Sequence, residues 1–198
     1  MKGSPPLILA SRSLRRQTLL RQMGIPFAVL PADINEHIEE GREPAEVVQN
    51  LAVLKAQEVS IRHPNTLVLG ADTLVVHRGQ LLGKPASAED AFDMLRRLSG
   101  TTHTVYTGIA LVHDASGRKM TAVENTDVAF GRLSDKEIAS YVESGSPMDK
   151  AGAYGIQDDW GATFIEGIKG DYYTVVGLPL RRLYVLLKLH YPDLLSLR

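Results

Sequence analysis

The spacing of apolar and polar positions changes along the chain, and each change predicts a new element. Leu7 to Ala10 is a short continuous apolar run, predicted to be a buried strand. It passes through Ser11-Arg12-Ser13 into a helical stretch from Leu14 to Met23, which Gly24 and Pro26 stop where a glycine past a helix end and a following proline belong. Phe27 to Leu30 reads as a second strand, and Pro31 to Gly41 as an acidic, irregular connection. Pro44 suits the first turn of a helix predicted to reach about Ser60. Thr66 to Val76, TLVLGADTLVV, is an apolar run broken by one aspartate, after which Arg78-Gly79 turns the chain into Leu81-Leu82.

Helical spacing is clearest at Ala88, Ala91, Phe92, Leu95 and Leu98, with Ser87 and Asp90 at the start and Gly100 past the end. Thr104 to His113 and Lys119 to Phe130 are β-rich and flank Asp114-Ala115-Ser116-Gly117, which predicts an antiparallel hairpin. Ser134 and Glu137 form a capping-box pair for a helix ending near Gly145. From Gly152 to Gly177 glycines recur, implying turns and close backbone approaches between short strands, and an apolar helix is predicted over Leu178 to His190. Early alternation of strands and helices with a later hairpin predicts an α/β protein, its mixed sheet covered by helices. No linker, repeat or low-complexity segment interrupts the pattern.

Composition narrows the function. A chain of 198 residues with 44% hydrophobic and 23% charged residues is expected to fold as one domain and to bury on the order of 70% of its unfolded surface, without disulfides or a structural metal. Lys and Arg total 22 against 23 Asp and Glu, a net charge of -1, so no broad attraction to nucleic acid is expected and any anion must be held by a local cluster. With no cysteine, disulfides, Cys-ligated zinc, iron-sulfur clusters and thiol nucleophiles are excluded. The apolar run Leu7 to Ala10 is too short for a signal segment or a membrane span, so a cytoplasmic protein without a membrane partner is expected.

Two local conflicts point to chemistry. Ser13 is a good N-cap, yet Arg15 and Arg16 then fall in the first helical turn, where the positive end of the helix dipole disfavours cations by about 0.3 to 1 kcal/mol each. A bound anion reverses that penalty, and free backbone N–H groups, the hydroxyls of Ser11 and Ser13 and two guanidiniums after a strand would make a phosphate cradle; otherwise both arginines are solvated. Asp72 interrupts an apolar strand with a group that is costly to bury unless it is paired or bound to metal, which makes it a candidate metal ligand or general base, or else a strand-end aspartate capping a turn. Glu36 is a candidate second carboxylate for the same cation, unless it is merely a solvated loop residue. Lys55 lies about 40° from Leu51 on the helical wheel, inside the stripe of Val47, Val48, Leu51 and Val59, and so either snorkels to solvent or points into a cleft. Lys84, fixed between Gly83 and Pro85, and Lys150, beside Asp149, are open in the same way. Walker, dinucleotide, nucleophile-elbow and zincin motifs are missing, and the scattered histidines read as ordinary surface or core residues.

LILASRSLRRQTLL resembles the S-x-S-P-R-R opening of the Maf family, and VLGADT resembles its central aspartate motif. Gly83 to Pro85 (GKP), Asp149 to Gln157 (DKAGAYGIQ) and Val175 to Leu180 (VVGLPL) match further motifs in the same order, so the resemblance spans nearly the whole chain. It implies a nucleoside triphosphate pyrophosphatase on an elongated mixed sheet flanked by helices with a central cleft, similar to inosine triphosphate pyrophosphatases. The whole chain, 1–198, would be one such domain with room for two lobes around the cleft. Carried over by motif, Asp72 becomes the catalytic acid-base residue. Ser11, Arg15, Arg16, Lys55 and Lys84 become triphosphate contacts, and Glu36 joins Asp72 in holding a divalent metal cation, Mg or Mn. Thr73 and Gln157 match the branch that hydrolyses dTTP and UTP. A homodimer is also implied, and the family's name keeps a second reading alive, a nucleotide-binding regulator of cell division that acts through a protein partner without turnover. Leu14 departs from the pattern where the family has proline, which costs preorganisation of the helix start but removes no donor.

Overall fold

In the computed structural model, which describes residues 7–36, 41–157 and 159–195, period-two and helical segments assemble into a seven-stranded mixed sheet. Residues 1–6 and, within the acidic connection, 37–40 lie outside the described residues. Strand β1 (Leu7–Leu9) pairs in parallel with both β2 (Ala28–Val29) and β3 (Leu67–His77), Leu7 opposite Leu67 and Leu9 opposite Leu69. Parallel neighbours require crossovers, and these are α1 (Leu14–Gln22) and α2 (Pro44–Arg62). β3 turns back into antiparallel β4 (Gln80–Leu82). Beyond β3 the order continues through β5 (Thr102–His113), β6 (Arg118–Phe130) and β7 (Ile165–Lys169). Because β5 and β6 are neighbours joined only by residues 114–117, they form the antiparallel hairpin expected from the sequence.

The expected α/β architecture, a mixed sheet flanked by helices, is the observed one. Two local expectations are corrected. The glycine-rich stretch between Gly152 and Gly177 holds one strand, β7, rather than several. The rest is 3-10 turns at Ala151–Ala153 and Asp159–Phe164 and a short helix α5 (Tyr172–Val176), started by Asp171, whose Oδ2 accepts from the Thr174 N–H at 2.7 Å and its hydroxyl at 2.8 Å. Glycine frequency reports turns well but says nothing of what lies between them. The last long helix, α6 (Leu180–His190), begins after Pro179 instead of at Leu178.

The chain divides into two compact units. The first comprises Met1–Asp72, Thr107–Glu124 and Gly177–Arg198; the second comprises Thr73–Tyr106 and Asn125–Val176. In the first, Ile8, Val68, Ala110 and Val112 of the sheet pack against Ala52, Ala56 and Val59 of α2. Close approach is what the glycines of the sheet permit: a Cβ at Gly70 would stand 2.1 Å from the Ala52 carbonyl oxygen, and one at Gly108 would stand 2.4 Å from that of Val48. The inner face of α2 therefore lies directly on the strands, which brings its one buried cation, Lys55, to the level of β3.

The core of the second unit gathers Leu95 and Leu98 of α3 (Ala88–Leu98), Ile138 and Tyr141 of α4 (Asp135–Glu143), and Val105, Val128, Phe130 and Phe164. Local sequence sets both helix starts. Ser87 Oγ accepts from the Asp90 N–H at 3.1 Å, and the Ser134–Glu137 capping box is complete, with bonds of 2.7 and 3.3 Å. Among the described residues, no helix is long and apolar enough to cross a membrane.

Candidate active site

The candidate site lies in the first unit, where β1 gives way to α1. After Leu9 the chain stays on the sheet for one more bond, Ala10 N–H to Leu69 O at 2.8 Å, then leaves through Ser11, which is buried. Ser13 is the N-cap of α1, extended at φ -60° and ψ 116°, and its Oγ accepts from the Arg16 N–H at 3.4 Å. Ser11 Oγ accepts from the Ser13 N–H and from Arg16 Nη1, both at 3.3 Å. Arg16 Nε donates to the Gly177 carbonyl at 2.8 Å, which gives the VVGLPL motif a physical task that its sequence does not reveal. Gly177 takes φ +115°, a conformation that L side chains rarely adopt, and so presents that carbonyl.

No acidic residue stands in the first turn of α1 to offset its two arginines. Compensation comes from elsewhere in the chain. Burial lowers the pKa of the Arg16 guanidinium, Asp72 and Glu36 work against that shift through their charges, and Arg15 reinforces it. Arginine stays protonated regardless, so Arg16 is a half-buried cation within electrostatic reach of both candidate carboxylates.

Lys55 resolves the choice left open by its helical position. It does not snorkel: it is 9% exposed, and its Nζ lies 2.6 Å from Asp72 Oδ1 and 2.9 Å from Glu36 Oε1. Asp72 is buried, while the Glu36 side chain is 54% exposed, so the cluster runs from the protein interior to solvent. Taken together, Arg15, Arg16 and Lys55 outnumber Asp72 and Glu36 by one positive charge, in keeping with an anion as ligand. Two carboxylates converging on one point also suit a hard divalent cation, which needs only one or two protein carboxylates when phosphate oxygens and water complete its shell. No cluster of three or more potential metal ligands occurs among the described residues.

The remaining candidates belong to the second unit. Thr73 follows Asp72 on β3 and is half-buried, whereas Lys84 and Gln157 are exposed. Lys150, unlike Lys84, is buried and committed internally: its Nζ donates to the Ser146 carbonyl, to Ser146 Oγ at 3.3 Å and to Asp149 Oδ1 at 2.8 Å. The Gly152 N–H donates to the Gly83 carbonyl at 3.0 Å, tying the segment before Gln157 to the one that carries Lys84.

Beneath this tie lies a pair that the sequence reading passes over. His103 and Tyr154 are both buried and share a 2.7 Å hydrogen bond between Nε2 and the hydroxyl. Phe130 meets both rings edge-on, its centroid 5.0 Å from His103 and 4.7 Å from Tyr154. Burial pushes the His103 pKa down to about 4, with His77 adding to the shift and Asp127 opposing it, and burial pushes the Tyr154 hydroxyl up. The available signal was strand alternation, since His103 shares the inward register of Val105 between half-buried or exposed neighbours Thr102 and Thr104.

Residues 6–190 match the Maf-like protein family. A protein of Salinibacter ruber named dTTP/UTP pyrophosphatase is 53% identical over 193 residues, covering 98% of this chain and 95% of its own. Proteins of the same name from Symbiobacterium thermophilum and Halalkalibacterium halodurans are 55% and 51% identical, covering 89% and 93% of this chain and 89% and 96% of their own. Among solved structures, a HAM1 protein from Coxiella burnetii shares the fold, with a TM-score of 0.53 over 92% of this chain and 98% of that one at 14% identity. The S-x-S-x-R-R cradle, the buried aspartate meeting Lys55 and the full-length match lead to one assignment: the chain belongs to the family of Maf-like proteins.

Proposed function

We propose that this protein is a nucleoside triphosphate pyrophosphatase that cleaves dTTP and UTP between the α- and β-phosphorus, releasing the monophosphate and pyrophosphate. The observation that carries the reading is the meeting of Lys55 with Asp72 at 2.6 Å and Glu36 at 2.9 Å, within electrostatic reach of the Arg16 guanidinium. A nucleoside triphosphate carries about four negative charges, so attack at its α-phosphorus requires cations around both the nucleophile and the departing pyrophosphate. Arg15, Arg16 and Lys55 supply that charge, Ser11 adds a hydroxyl contact, and Lys84 is assigned to the same polyanion through its motif. Asp72 accepts a proton from water as the water oxygen bonds to the α-phosphorus and the bridging P–O bond breaks towards pyrophosphate. Asp72 and Glu36 are also the residues that would hold Mg or Mn, and such an ion, when bound, neutralises phosphate oxygens.

Selectivity is assigned to Gln157 and Thr73. A glutamine amide offers both a donor and an acceptor, which suits the O4 and N3–H edge of uracil or thymine, and a threonine hydroxyl adds a further contact. The names of the relatives favour the enzyme over a nucleotide-binding regulator of division. Pure protein incubated with Mg²⁺ and UTP, dTTP, CTP or GTP is expected to release equal amounts of pyrophosphate and monophosphate, fastest from UTP and dTTP. Binding without turnover would overturn the reading and favour the regulator. Replacing Gln157 by Ala is expected to erode the preference for UTP and dTTP, and an unchanged preference would remove Gln157 from base recognition.

A further inference from the structure

We infer that the buried hydrogen bond between His103 and Tyr154 is a positioning device for nucleobase recognition, locking to β5 the turn that precedes Gln157 and that the Gly152 bond to Gly83 ties to the segment carrying Lys84. The inference rests on the proposed function, because it takes Gln157 and Lys84 as substrate contacts.

The turn between Lys150 and Tyr154 departs from relaxed backbone. Gly152 takes φ +71° and Ala153 takes φ +60°, the latter one of two non-glycine residues at positive φ among the described residues. A side chain at Gly152 would meet the Val75 methyls at 3.1 Å, so the turn lies close against β3, and its Gly152 N–H is spent on Gly83 O. A strained backbone persists only where its surroundings over-determine it. Tyr154 follows the strained alanine directly, and its hydroxyl is held at 2.7 Å by His103 Nε2 from β5.

Packing alone gives no reason for this pair. Two apolar rings would fill the same space beside Phe130 without burying a hydroxyl and an imidazole, and His103 Nδ1 is buried without a hydrogen-bond partner among the described residues. What the pair adds is direction. Apolar contacts tolerate small rotations and slides, whereas one hydrogen bond between two buried rings fixes where the Tyr154 hydroxyl must lie and so fixes the turn attached to it. Gln157 lies three residues beyond Tyr154, and the Gly152 bond to Gly83 couples the same turn to Lys84. Base reading by an amide depends on placement, and a shift of about 1 Å is enough to lose most of its benefit.

The test compares the wild type with Tyr154→Phe, His103→Leu and His103→Gln, reading kcat and KM for UTP, dTTP and CTP together with the melting temperature. Tyr154→Phe and His103→Leu are expected to raise KM for UTP and dTTP on the order of tenfold and to shrink the preference over CTP similarly, with kcat within about twofold. His103→Gln, whose amide reaches about as far as the imidazole Nε2, is expected to restore both. A lower melting temperature with unchanged KM and base preference would overturn the inference, as would equal loss of kcat on every nucleotide. Should His103→Leu fail to fold, Tyr154→Phe, which removes only the hydroxyl and keeps the ring against Phe130, carries the test alone, and an unchanged KM for UTP in that variant would also overturn it. Wild-type protein that turns over neither UTP nor dTTP would instead overturn the proposed function itself.

Discussion

Lys55 and Asp72 in the first unit bury charge against charge, with the exposed Glu36 at the edge, whereas His103 and Tyr154 in the second bury a neutral hydrogen bond among aromatic rings. A buried ion pair is stable only while both members are present. Removing Lys55 or Asp72 would leave its partner's charge buried without that pairing, and breaking a buried pair in this way costs about 3 to 5 kcal/mol. The histidine and tyrosine need no counter-charge, but they must stay neutral, and burial keeps them so. The first arrangement sets charge against charge within the first unit, and the second sets one neutral hydrogen bond between β5 and the turn at Tyr154. Under the proposed function the first carries the reactive carboxylate, while the second acts through the placement of Gln157.

Four experiments test this contrast, beginning with the largest effect. Asp72→Asn keeps the size of the side chain but removes the proton acceptor, and pyrophosphate release from UTP is expected to fall roughly 10²- to 10⁴-fold. Near-wild-type turnover would move the reactive carboxylate elsewhere. Next comes acid. Below pH 6.5 the unfolded chain takes up a proton at His103 that the folded protein refuses until about pH 4, so stability is lost as pH falls through that window. The loss from this residue is about 3 kcal/mol, measurable by urea unfolding at pH 7 and pH 4, and His103→Gln should abolish that part of the slope. If the variant shows the same slope, the second unit's histidine is not held neutral.

Gly70→Ala tests the approach of α2 to the sheet. The added methyl would stand 2.1 Å from the Ala52 carbonyl oxygen, a backbone atom that cannot rotate away, so the helix must shift and Lys55 with it. Destabilisation of about 1 to 3 kcal/mol and a raised KM for UTP are expected. The smallest effect has the opposite sign. Leu14 is 75% exposed at the first position of α1, preceded by extended Ser13, the setting in which proline is tolerated at a helix start. Leu14→Pro is expected to stabilise the protein by about 0.4 to 1 kcal/mol in thermal or urea unfolding, without loss of activity.

Much of this molecule was legible in the order of its residues. The Ser87 and Ser134 caps, the hairpin around Gly117 and the interruption of β3 by Asp72 all appear in the structure where spacing predicts them. The glycine-rich stretch from Gly152 was not legible in the same way, since its turns were expected and its single strand and short helix were not. Nor could His103 be told from an ordinary core histidine, because its partner lies 51 positions away.

What the sequence alone determined are features made between neighbours. Helix starts, turn positions, the conflict of two arginines at a positive helix end and the cost of an aspartate in an apolar strand all arise within a few residues, so composition and order suffice to read them. Tertiary structure decided where those conflicts are resolved. Helical phase put Lys55 among apolar residues and left its direction open; only the approach of α2 to the side-chain-free backbone at Gly70 carries its ammonium to Asp72. Likewise, Arg16 finds the carbonyl of Gly177 across 161 positions of chain, a pairing that no local pattern encodes, because it exists only once the sheet has brought the two ends of the first unit together.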